Sequence, residues 1–220
     1  MKTNNLKPAL VLLFIFTLFA CKNPNTVTDF DGNSYQTIKI GNQTWMAENL
    51  RTTHFNNGTP IQNCTKNAHW QQTNQAAYCA YNNKSKKKYG YLYNHYCIEN
   101  ANNIAPEGWR IPKENDIRIL EAYLNNNTKT GYLLKEKGYK HWLTSHNLEL
   151  KNTGFNALPG GYRDNKGDFY MLQSNGYIWT QNASVEFYHW SDRIFQAFAD
   201  VRREPIHQQY GFSIRCIKEE

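Results

Sequence analysis

Much of the chain alternates apolar and polar positions in short runs, which are separated by turns rich in glycine and asparagine. Asp31-Gly32 is one such turn signal, because these residues favour the backbone conformations of tight turns. Alternating runs at 35–40 and 43–46 flank the pair Gly41-Asn42. This pattern predicts a β-hairpin that closes near residue 42.

Two segments have the apolar spacing of a helix instead. Over residues 89–99, apolar side chains recur at intervals that share one helical face: Tyr89, Leu92, Tyr93, Tyr96 and Cys97. Over residues 113–125, Ile117, Leu120 and Leu124 follow the same spacing. Pro112 precedes this second segment and acidic residues occupy its first turn, as is typical of a helix start.

The last third of the chain returns to strand patterns. Strands are predicted at 177–180, at 188–190 and at 212–216, where aromatic and β-branched residues are frequent. Strands, then two helices, then further strands indicate an α+β fold and not a parallel βαβ fold. The expected architecture is one of short antiparallel strands, two helices and long loops.

The N-terminus is typical of a bacterial export signal. Basic residues precede an apolar stretch over residues 9–20, which is shorter than the ~20 apolar residues that span a bilayer. The stretch ends Leu18-Phe19-Ala20-Cys21, which resembles a lipobox, where the cysteine receives a diacylglycerol and becomes the new N-terminus. The sequence predicts a lipoprotein signal peptide at 1–20 and a lipidated tether at 21–26. The alternative is an ordinary cleaved secretory signal with an incidental cysteine.

Export also governs the interpretation of the cysteines. Cys21 is assigned to the lipid, which leaves four: Cys64, Cys79, Cys97 and Cys216. An even number of cysteines in an exported chain favours two disulfides, and four cysteines allow three pairings. The chain has no Cys-x-x-Cys and no His-x-His, so a structural zinc site is not predicted.

Composition and charge exclude several classes of protein. Aromatic residues make up 15% of the 220 residues, which is too many for a disordered chain. The net charge is +7, but two of the 25 basic residues belong to the signal peptide, so the mature chain has 23 basic and 18 acidic residues, or +5. The basic run at 84–88 has no nucleic-acid recognition motif beside it. Nucleic acid is therefore not an expected partner.

The motifs of known catalytic and metal sites are missing from the sequence. It contains no Gly-x-Ser-x-Gly, no His-Glu-x-x-His and no phosphate-binding glycine loop. Asp164 and Asp168 lie in a turn-like segment and are interpreted as turn-capping acids. The segment 29–33 resembles part of a calcium loop, but the closing glutamate is missing, so a hairpin turn explains it better. The prediction is a protein that is not an enzyme and has no cofactor.

Several motifs, taken in order, resemble a known family. They are Asp29-Phe30-Asp31-Gly32-Asn33-Ser34-Tyr35, Ile40-Gly41-Asn42-Gln43-Thr44-Trp45-Met46-Ala47-Glu48-Asn49-Leu50, Gly108-Trp109-Arg110-Ile111-Pro112, Ala157-Leu158-Pro159-Gly160-Gly161-Tyr162-Arg163 and Tyr210-Gly211-Phe212-Ser213-Ile214-Arg215-Cys216. Together they look like the Fibrobacter succinogenes major paralogous domain, over residues 27–218. That family is found in exported lipoproteins of Bacteroidota and is similar to the C-type-lectin-like fold.

The resemblance carries further expectations. It implies a lectin-like domain stapled by disulfides. The family often has a cysteine at the position that is Ala105 here. We therefore expect Cys97 to form the disulfide with Cys216 in its place, which leaves Cys64 to pair with Cys79. Formylglycine-generating enzymes share the fold, but they need two free cysteines, and here every cysteine has another assignment. Trp45, Trp109 and Trp179 lie in or near the motifs and are expected in the core.

In relatives of this fold the ligand face falls just before the closing strand. The corresponding stretch here is rich in aromatic and arginine side chains, which binding hot spots favour. The candidate ligand-binding residues are Tyr188, His189, Trp190, Arg193, Arg202, Arg203 and His207. The alternative for the aromatic members is that they form strand core.

Three hypotheses for function remain. The first is a non-catalytic lipoprotein, anchored at the outer membrane, whose lectin-like domain binds a glycan, a peptide or a protein. The second is a structural or assembly component of the cell envelope without a soluble ligand. The third is an enzyme related to the formylglycine-generating fold. The residues after Cys21 lack an acidic cluster, so the periplasmic and surface faces of the membrane both stay open.

Overall fold

A computed structural model describes residues 25–84, 87–124, 130–143, 153–181, 188–194 and 201–220. The described residues form thirteen strands, β1 to β13: Thr26–Thr28, Ser34–Ile40, Gln43–Met46, Gln62–Asn63, Ala77–Cys79, Leu92–Tyr93, Trp109–Arg110, Gly160–Arg163, Phe169–Leu172, Gly176–Trp179, Tyr188–Ile194, Val201–His207 and Ile217–Lys218. They also form four short helices, α1 to α4: Asn67–Gln72, Tyr96–Glu99, Glu114–Tyr123 and Thr130–Leu134. The predicted signal peptide and Cys21 lie outside these residues. None of the described helices is long and apolar enough to cross a membrane.

The largest sheet has five strands in the order β1-β2-β3-β13-β7, and its pairs are antiparallel. The hairpin predicted around residue 42 is confirmed, because β2 and β3 pair from Thr37 and Met46 down to Ile40 and Gln43. The last strand, β13, lies between β3 and β7. The end of the chain is therefore held against the N-terminal hairpin.

The part of the chain that the structure describes also forms three smaller sheets. One has the order β10-β11-β12, one has the order β4-β5-β6, and β8 pairs with β9. Strand β4 is parallel to β5, and the other pairs are antiparallel. The predicted strand at 212–216 is mostly a connector: Gly211, Phe212 and Ser213 each make a single bridge to a different segment. The α+β prediction is confirmed.

The helix predicted over 89–99 is wrong. This segment forms a 3₁₀ turn at Lys87–Tyr89, then β6, and then the one-turn helix α2. Gly90 breaks the segment at φ +72°, where a side-chain Cβ would lie 2.5 Å from the carbonyl oxygen of Leu50. Tyr93 then pairs with Tyr78 and also exchanges backbone hydrogen bonds with Phe212. Contacts with distant segments override the helical spacing.

The helix predicted over 113–125 is confirmed as α3. The carboxylate of Asp116 accepts a hydrogen bond of 2.6 Å from the backbone N–H of Lys113, which precedes the helix. Arg110 donates to both oxygens of Asp116, at 2.6 and 2.9 Å. Burial acts to raise the pKa of Asp116, but these hydrogen bonds and the Arg110 charge outweigh burial and hold the pKa below its usual value. Ile117 and Leu120 face the interior.

The described residues form three apolar clusters in the interior. The first contains Trp109 and Trp179 together with aromatic residues of the smaller sheets, and the second contains Trp45 and the inner face of α3. The third is small and surrounds Trp70. The three predicted core tryptophans are confirmed, since each has at most 6% of its surface exposed.

The predicted disulfides are absent from this structure. All four cysteines in the described residues are buried free thiols: Cys64, Cys79, Cys97 and Cys216. They pack as small apolar side chains, a role that free cysteine fills well. The Sγ atom of Cys97 also donates to the carbonyl oxygen of Ala77 at 3.4 Å. Burial raises the pKa of Cys79 to about 12, against the lowering effect of Arg163, so this thiol is neutral at physiological pH.

Lys135 is buried beside the second cluster and leads to a pH prediction. It is 2% exposed, and its Nζ atom lies 4.4 Å from the ring centroid of Trp142. Burial lowers the pKa of Lys135 to about 8 from its ordinary 10.5. Between these values the unfolded chain holds the proton and the folded chain has lost it, so the free energy of unfolding should rise with pH.

The variant Lys135→Met tests how much of the pH dependence of stability comes from Lys135. Removing a buried charge should stabilise the protein by about 1–2 kcal/mol near neutral pH. Because Met does not titrate, its advantage over the natural chain should shrink as the pH rises from about 8 to about 10.5. Denaturant unfolding of both proteins across that range measures the gap. A difference in stability that stays constant with pH would contradict the lowered pKa of Lys135.

Candidate functional site

The seven predicted ligand-binding residues all lie on the hairpin of β11 and β12. In the backbone register, Tyr188 pairs with His207 and Arg193 pairs with Arg202. Strand residues alternate between faces, so the hairpin divides the seven into two groups. One face has the positions of Tyr188, Trp190, Arg203 and His207, and the other has those of His189, Arg193 and Arg202. The two faces of the hairpin therefore separate the seven backbone positions into groups of four and three.

Three tyrosines come together next to the end of this hairpin, and we call them the tyrosine platform: Tyr162, Tyr170 and Tyr210. The rings of Tyr162 and Tyr210 are stacked, with centroids 5.8 Å apart and an angle of 17° between the planes. The ring centroid of Tyr170 lies 5.5 Å from that of Tyr162, and the two planes are tilted by 30°. Tyr170 is 42% exposed, whereas the other two tyrosines are partly buried. The platform is an aromatic surface with an open outer end.

The hairpin of β8 and β9 positions two of the three rings. Tyr162 and Tyr170 are paired across it, so their side chains share one face. Gly161 has φ +64°, and a Cβ there would lie 2.3 Å from the carbonyl oxygen of Tyr170. Only glycine allows the two strands to approach this closely. Tyr162 also contacts Phe212 of the first apolar cluster, with ring centroids 6.0 Å apart.

Arg163, the residue after Tyr162, connects the strand that carries the platform to other segments of the chain. It is fully buried, and it donates to the carbonyl oxygens of Gly167, Cys64 and Thr65 and to the Oδ1 atom of Asn67. These bonds tie β8 to the segment before α1. The guanidinium carbon also lies 4.5 Å from the ring centroid of Trp70. The platform thus has a rigid support.

The end of β9 has strained backbone. Met171 and Gln173 have φ values of +61° and +64°, which non-glycine residues rarely adopt. Hydrogen bonds hold the conformation: the carbonyl oxygen of Met171 accepts from Asn175, and the N–H of Gln173 donates to Pro159. Strain of about 1–3 kcal/mol per residue persists where surrounding structure imposes it, and such residues cluster at functional sites. The Met171 side chain is 48% exposed beside the platform.

Tyr162, at the centre of the platform, is neutral at physiological pH. Burial, together with the neighbouring Tyr177, Tyr210 and Asp164, raises the pKa of Tyr162 to about 12. Its hydroxyl is therefore protonated and suits hydrogen bonding. Asp164 is a turn-capping acid, as predicted, because its Oδ1 atom accepts from the backbone N–H of Lys166 and of Asp168. The chemistry of the site is stacking and hydrogen bonding.

The segment that resembled a calcium loop is a braced turn. The carboxylate of Asp29 accepts from the Tyr35 hydroxyl at 2.5 Å and from Asn33. The carboxylate of Asp31 accepts from Thr53 and is paired with His54 at 2.5 Å. Burial acts to raise the pKa of Asp31, but these bonds outweigh it and lower the pKa. Within the described residues no group of three or more His, Cys, Asp or Glu side chains is placed to hold a metal.

The platform was not predicted from the sequence. Tyr162 lies in the motif Gly160-Gly161-Tyr162-Arg163, and Tyr170-Met171 form an apolar pair next to a turn. An apolar pair on a short hairpin is the only local signal for an exposed surface. Tyr210 lies some 40 residues further along the chain, and only the tertiary structure brings it to Tyr162.

The fold and the site define a mixed α+β domain whose candidate site is an aromatic surface. The chain matches the model of the Fibrobacter succinogenes major domain over residues 38–218, and it belongs to that family. No curated protein and no solved structure gives a significant match. The family assignment confirms the family resemblance seen in the motifs.

Proposed function

We propose that this protein is a non-catalytic binding protein of the cell envelope, which uses the tyrosine platform to bind a glycan, a peptide or a protein. The tyrosine platform, with Tyr170 exposed at its outer end, carries the proposal. Among the described residues, six large hydrophobic side chains are exposed, and only Tyr170 and Met171 are neighbours in sequence. The ring of Tyr170 lies against that of Tyr162, which in turn contacts Phe212 of the first apolar cluster. Rigid aromatic side chains of this kind bury much area on binding and lose little conformational entropy.

A binding array tests the proposal. The natural protein is applied to arrays of glycans and of envelope proteins, alongside Tyr170→Ala and the control Tyr123→Ala. Tyr123 is also an exposed tyrosine, at 61%, but it lies on α3 and is not part of the platform. We expect Tyr170→Ala to lower affinity at least about tenfold and Tyr123→Ala to leave it unchanged. Equal loss in both variants would contradict a role for the platform.

The second candidate is a structural component of the envelope, and the same experiment separates it from the first. If no array component binds and the protein co-purifies in a stable envelope complex, the structural function is favoured. The lectin-like fold and the absence of catalysis belong to the proposal as well. Turnover of a substrate by the purified protein would contradict the non-catalytic part.

Anchoring through Cys21 is part of the proposed function. The lipobox-like sequence before Cys21 supports lipidation and attachment to the outer membrane, on its periplasmic or surface face. Replacing Cys21 with Ser should abolish labelling by a radioactive fatty acid and release the protein to the soluble fraction. Membrane retention of the unlabelled variant would refute the lipid anchor.

Export would expose the buried thiols to oxidising conditions, so the proposal includes the disulfides Cys64–Cys79 and Cys97–Cys216. Strand β4 is in parallel register with β5, and the residue after β4 is Cys64, next to the last residue of β5, Cys79. Cys97 and Cys216 share the first apolar cluster. A non-reducing peptide map of the exported protein should link these pairs. A link between Cys79 and Cys216 would contradict the pairing.

A further inference from the structure

A second concave surface lies on another part of the domain, and we call it the amide cleft. It has a volume of about 410 Å³ and lies between the segment 55–62, the segment 74–76 and α2. Volumes of about 300–1,000 Å³ are typical of sites for small molecules. The cleft shares no lining residue with the tyrosine platform.

The walls of the amide cleft combine aromatic rings and uncharged amides. Phe55, which is buried, and Tyr96, which is partly buried, supply the rings. Gln62, Asn74 and Gln75 supply exposed amide side chains. Within the described part of the chain, these three side-chain amides make no hydrogen bond to protein atoms. Each amide therefore offers a donor and an acceptor to a ligand.

The charges of the amide cleft favour a neutral ligand. Among the described residues that line it, none is a lysine or an arginine, so these residues offer no cation to pair with a phosphate, a sulfate or a carboxylate. Glu99 is the single ionisable acid in the lining, and its Oε1 atom lies 3.6 Å from Nδ1 of the buried His95. A carboxylate accepts hydrogen bonds from hydroxyl groups and repels anions.

These features match the chemistry of a sugar. A neutral sugar ring has hydroxyl groups that both donate and accept, around a body with apolar C–H faces. We propose that the amide cleft binds a neutral sugar unit of a glycan, with its hydroxyl groups on Gln62, Asn74, Gln75 and Glu99 and an apolar face against Tyr96. This site goes beyond the proposed function, because it does not depend on the tyrosine platform.

The cleft is joined firmly to the rest of the domain. The Nε2 atom of Gln209 donates to the carbonyl oxygens of Gln71 and Thr73, at 3.0 and 3.1 Å. These two bonds hold the chain just before Asn74. At Gln75 itself, the Nδ2 atom of Asn94 donates to the backbone carbonyl oxygen at 2.8 Å. The backbone that presents the two amides is therefore held at both ends. Such preorganisation lowers the entropic cost of binding.

The experiment uses the protein purified from cells that produce the full chain. The probes are an array of neutral oligosaccharides built from glucose, galactose, mannose and N-acetylglucosamine, with sulfated and phosphorylated forms and short peptides beside them. We expect binding to at least one neutral oligosaccharide, and no gain from sulfate or phosphate. The double variant Asn74→Ala/Gln75→Ala should lower that affinity at least about tenfold, which corresponds to about 1.4 kcal/mol.

Two controls locate the site. Gln72→Ala removes an exposed amide on α1 outside the cleft, and it should leave affinity unchanged. Tyr170→Ala reports on the platform alone. Sugar binding that is lost in the Asn74/Gln75 double variant and kept in Tyr170→Ala supports the cleft, even if the platform has no ligand. Binding that is lost only in Tyr170→Ala, preference for charged glycans or peptides, or no neutral sugar binding would each overturn the inference.

Discussion

Replacing Arg215 with alanine is expected to lower the free energy of unfolding by about 3–5 kcal/mol. Arg215 is fully buried, and burial lowers its pKa to about 9, so it is still charged at neutral pH. Its guanidinium donates twice to the Oδ1 atom of Asn49, at 2.7 and 3.1 Å, and also to the carbonyl oxygen of Phe155. Alanine would leave these acceptors without their donor inside the protein and would open a cavity.

The control for this prediction is Arg118→Ala. Arg118 pairs with Glu114 on the exposed side of α3, and its side chain is 63% exposed. A surface ion pair contributes about 0–1 kcal/mol, so this variant should unfold almost like the natural protein. Denaturant unfolding monitored by tryptophan fluorescence measures both variants. If the two lose similar stability, the buried network is not a major source of stability.

Replacing Gly161 with alanine is expected to lower the free energy of unfolding by at least about 3 kcal/mol. The new Cβ would meet the carbonyl oxygen of Tyr170 at 2.3 Å and the backbone nitrogen of Leu172 at 2.8 Å. These are backbone atoms of the paired strand, which cannot rotate away as a side chain can. The hairpin of β8 and β9 would have to separate, and the tyrosine platform would be disrupted with it.

Gly108→Ala is the matched control. Gly108 also has positive φ, at +74°, but a Cβ there would meet no heavy atom within 4 Å. We therefore expect Gly108→Ala to lower the free energy of unfolding only by the cost of the left-handed backbone conformation, about 1–2 kcal/mol. The difference between the two variants measures the steric clash alone. The Gly161→Ala protein should also lose any ligand of the platform, and a variant that keeps full stability would contradict the close approach of the strands.

The elements that were predicted correctly are those whose structure depends on residues close together in sequence. The hairpin at residue 42 and helix α3 were predicted correctly, because a tight turn, an acidic first turn and apolar spacing act over a few residues. The segment 89–99 had equally good helical spacing, yet α-helix forms only at its end, in the single turn of α2. Its conformation depends on Leu50, Tyr78 and Phe212, which are distant in sequence. No window of sequence around residue 90 contains that information.

The buried arginines show the same limit from another side. Arg163 and Arg215 stand in motifs that resemble those of the family, but nothing local in the sequence indicates that they are fully buried. Among the described residues, their hydrogen-bond acceptors are backbone carbonyls and the side chains of Asn49 and Asn67, and none is a carboxylate. Sequence reasoning normally places unpaired arginines at the surface, because burying a charge is costly. Only the folded chain shows how that cost is offset.

By itself the sequence determined the family, the α+β class, the first hairpin, helix α3 and the tryptophans of the core, since each depends on short-range pattern or on an ordered set of motifs. The tertiary structure alone decided the tyrosine platform and the amide cleft. Tyr162 meets Tyr210, and segment 55–62 meets α2, across long intervals of chain. Such surfaces arise from the packing of separate segments, and the pattern within any one segment does not encode its neighbours.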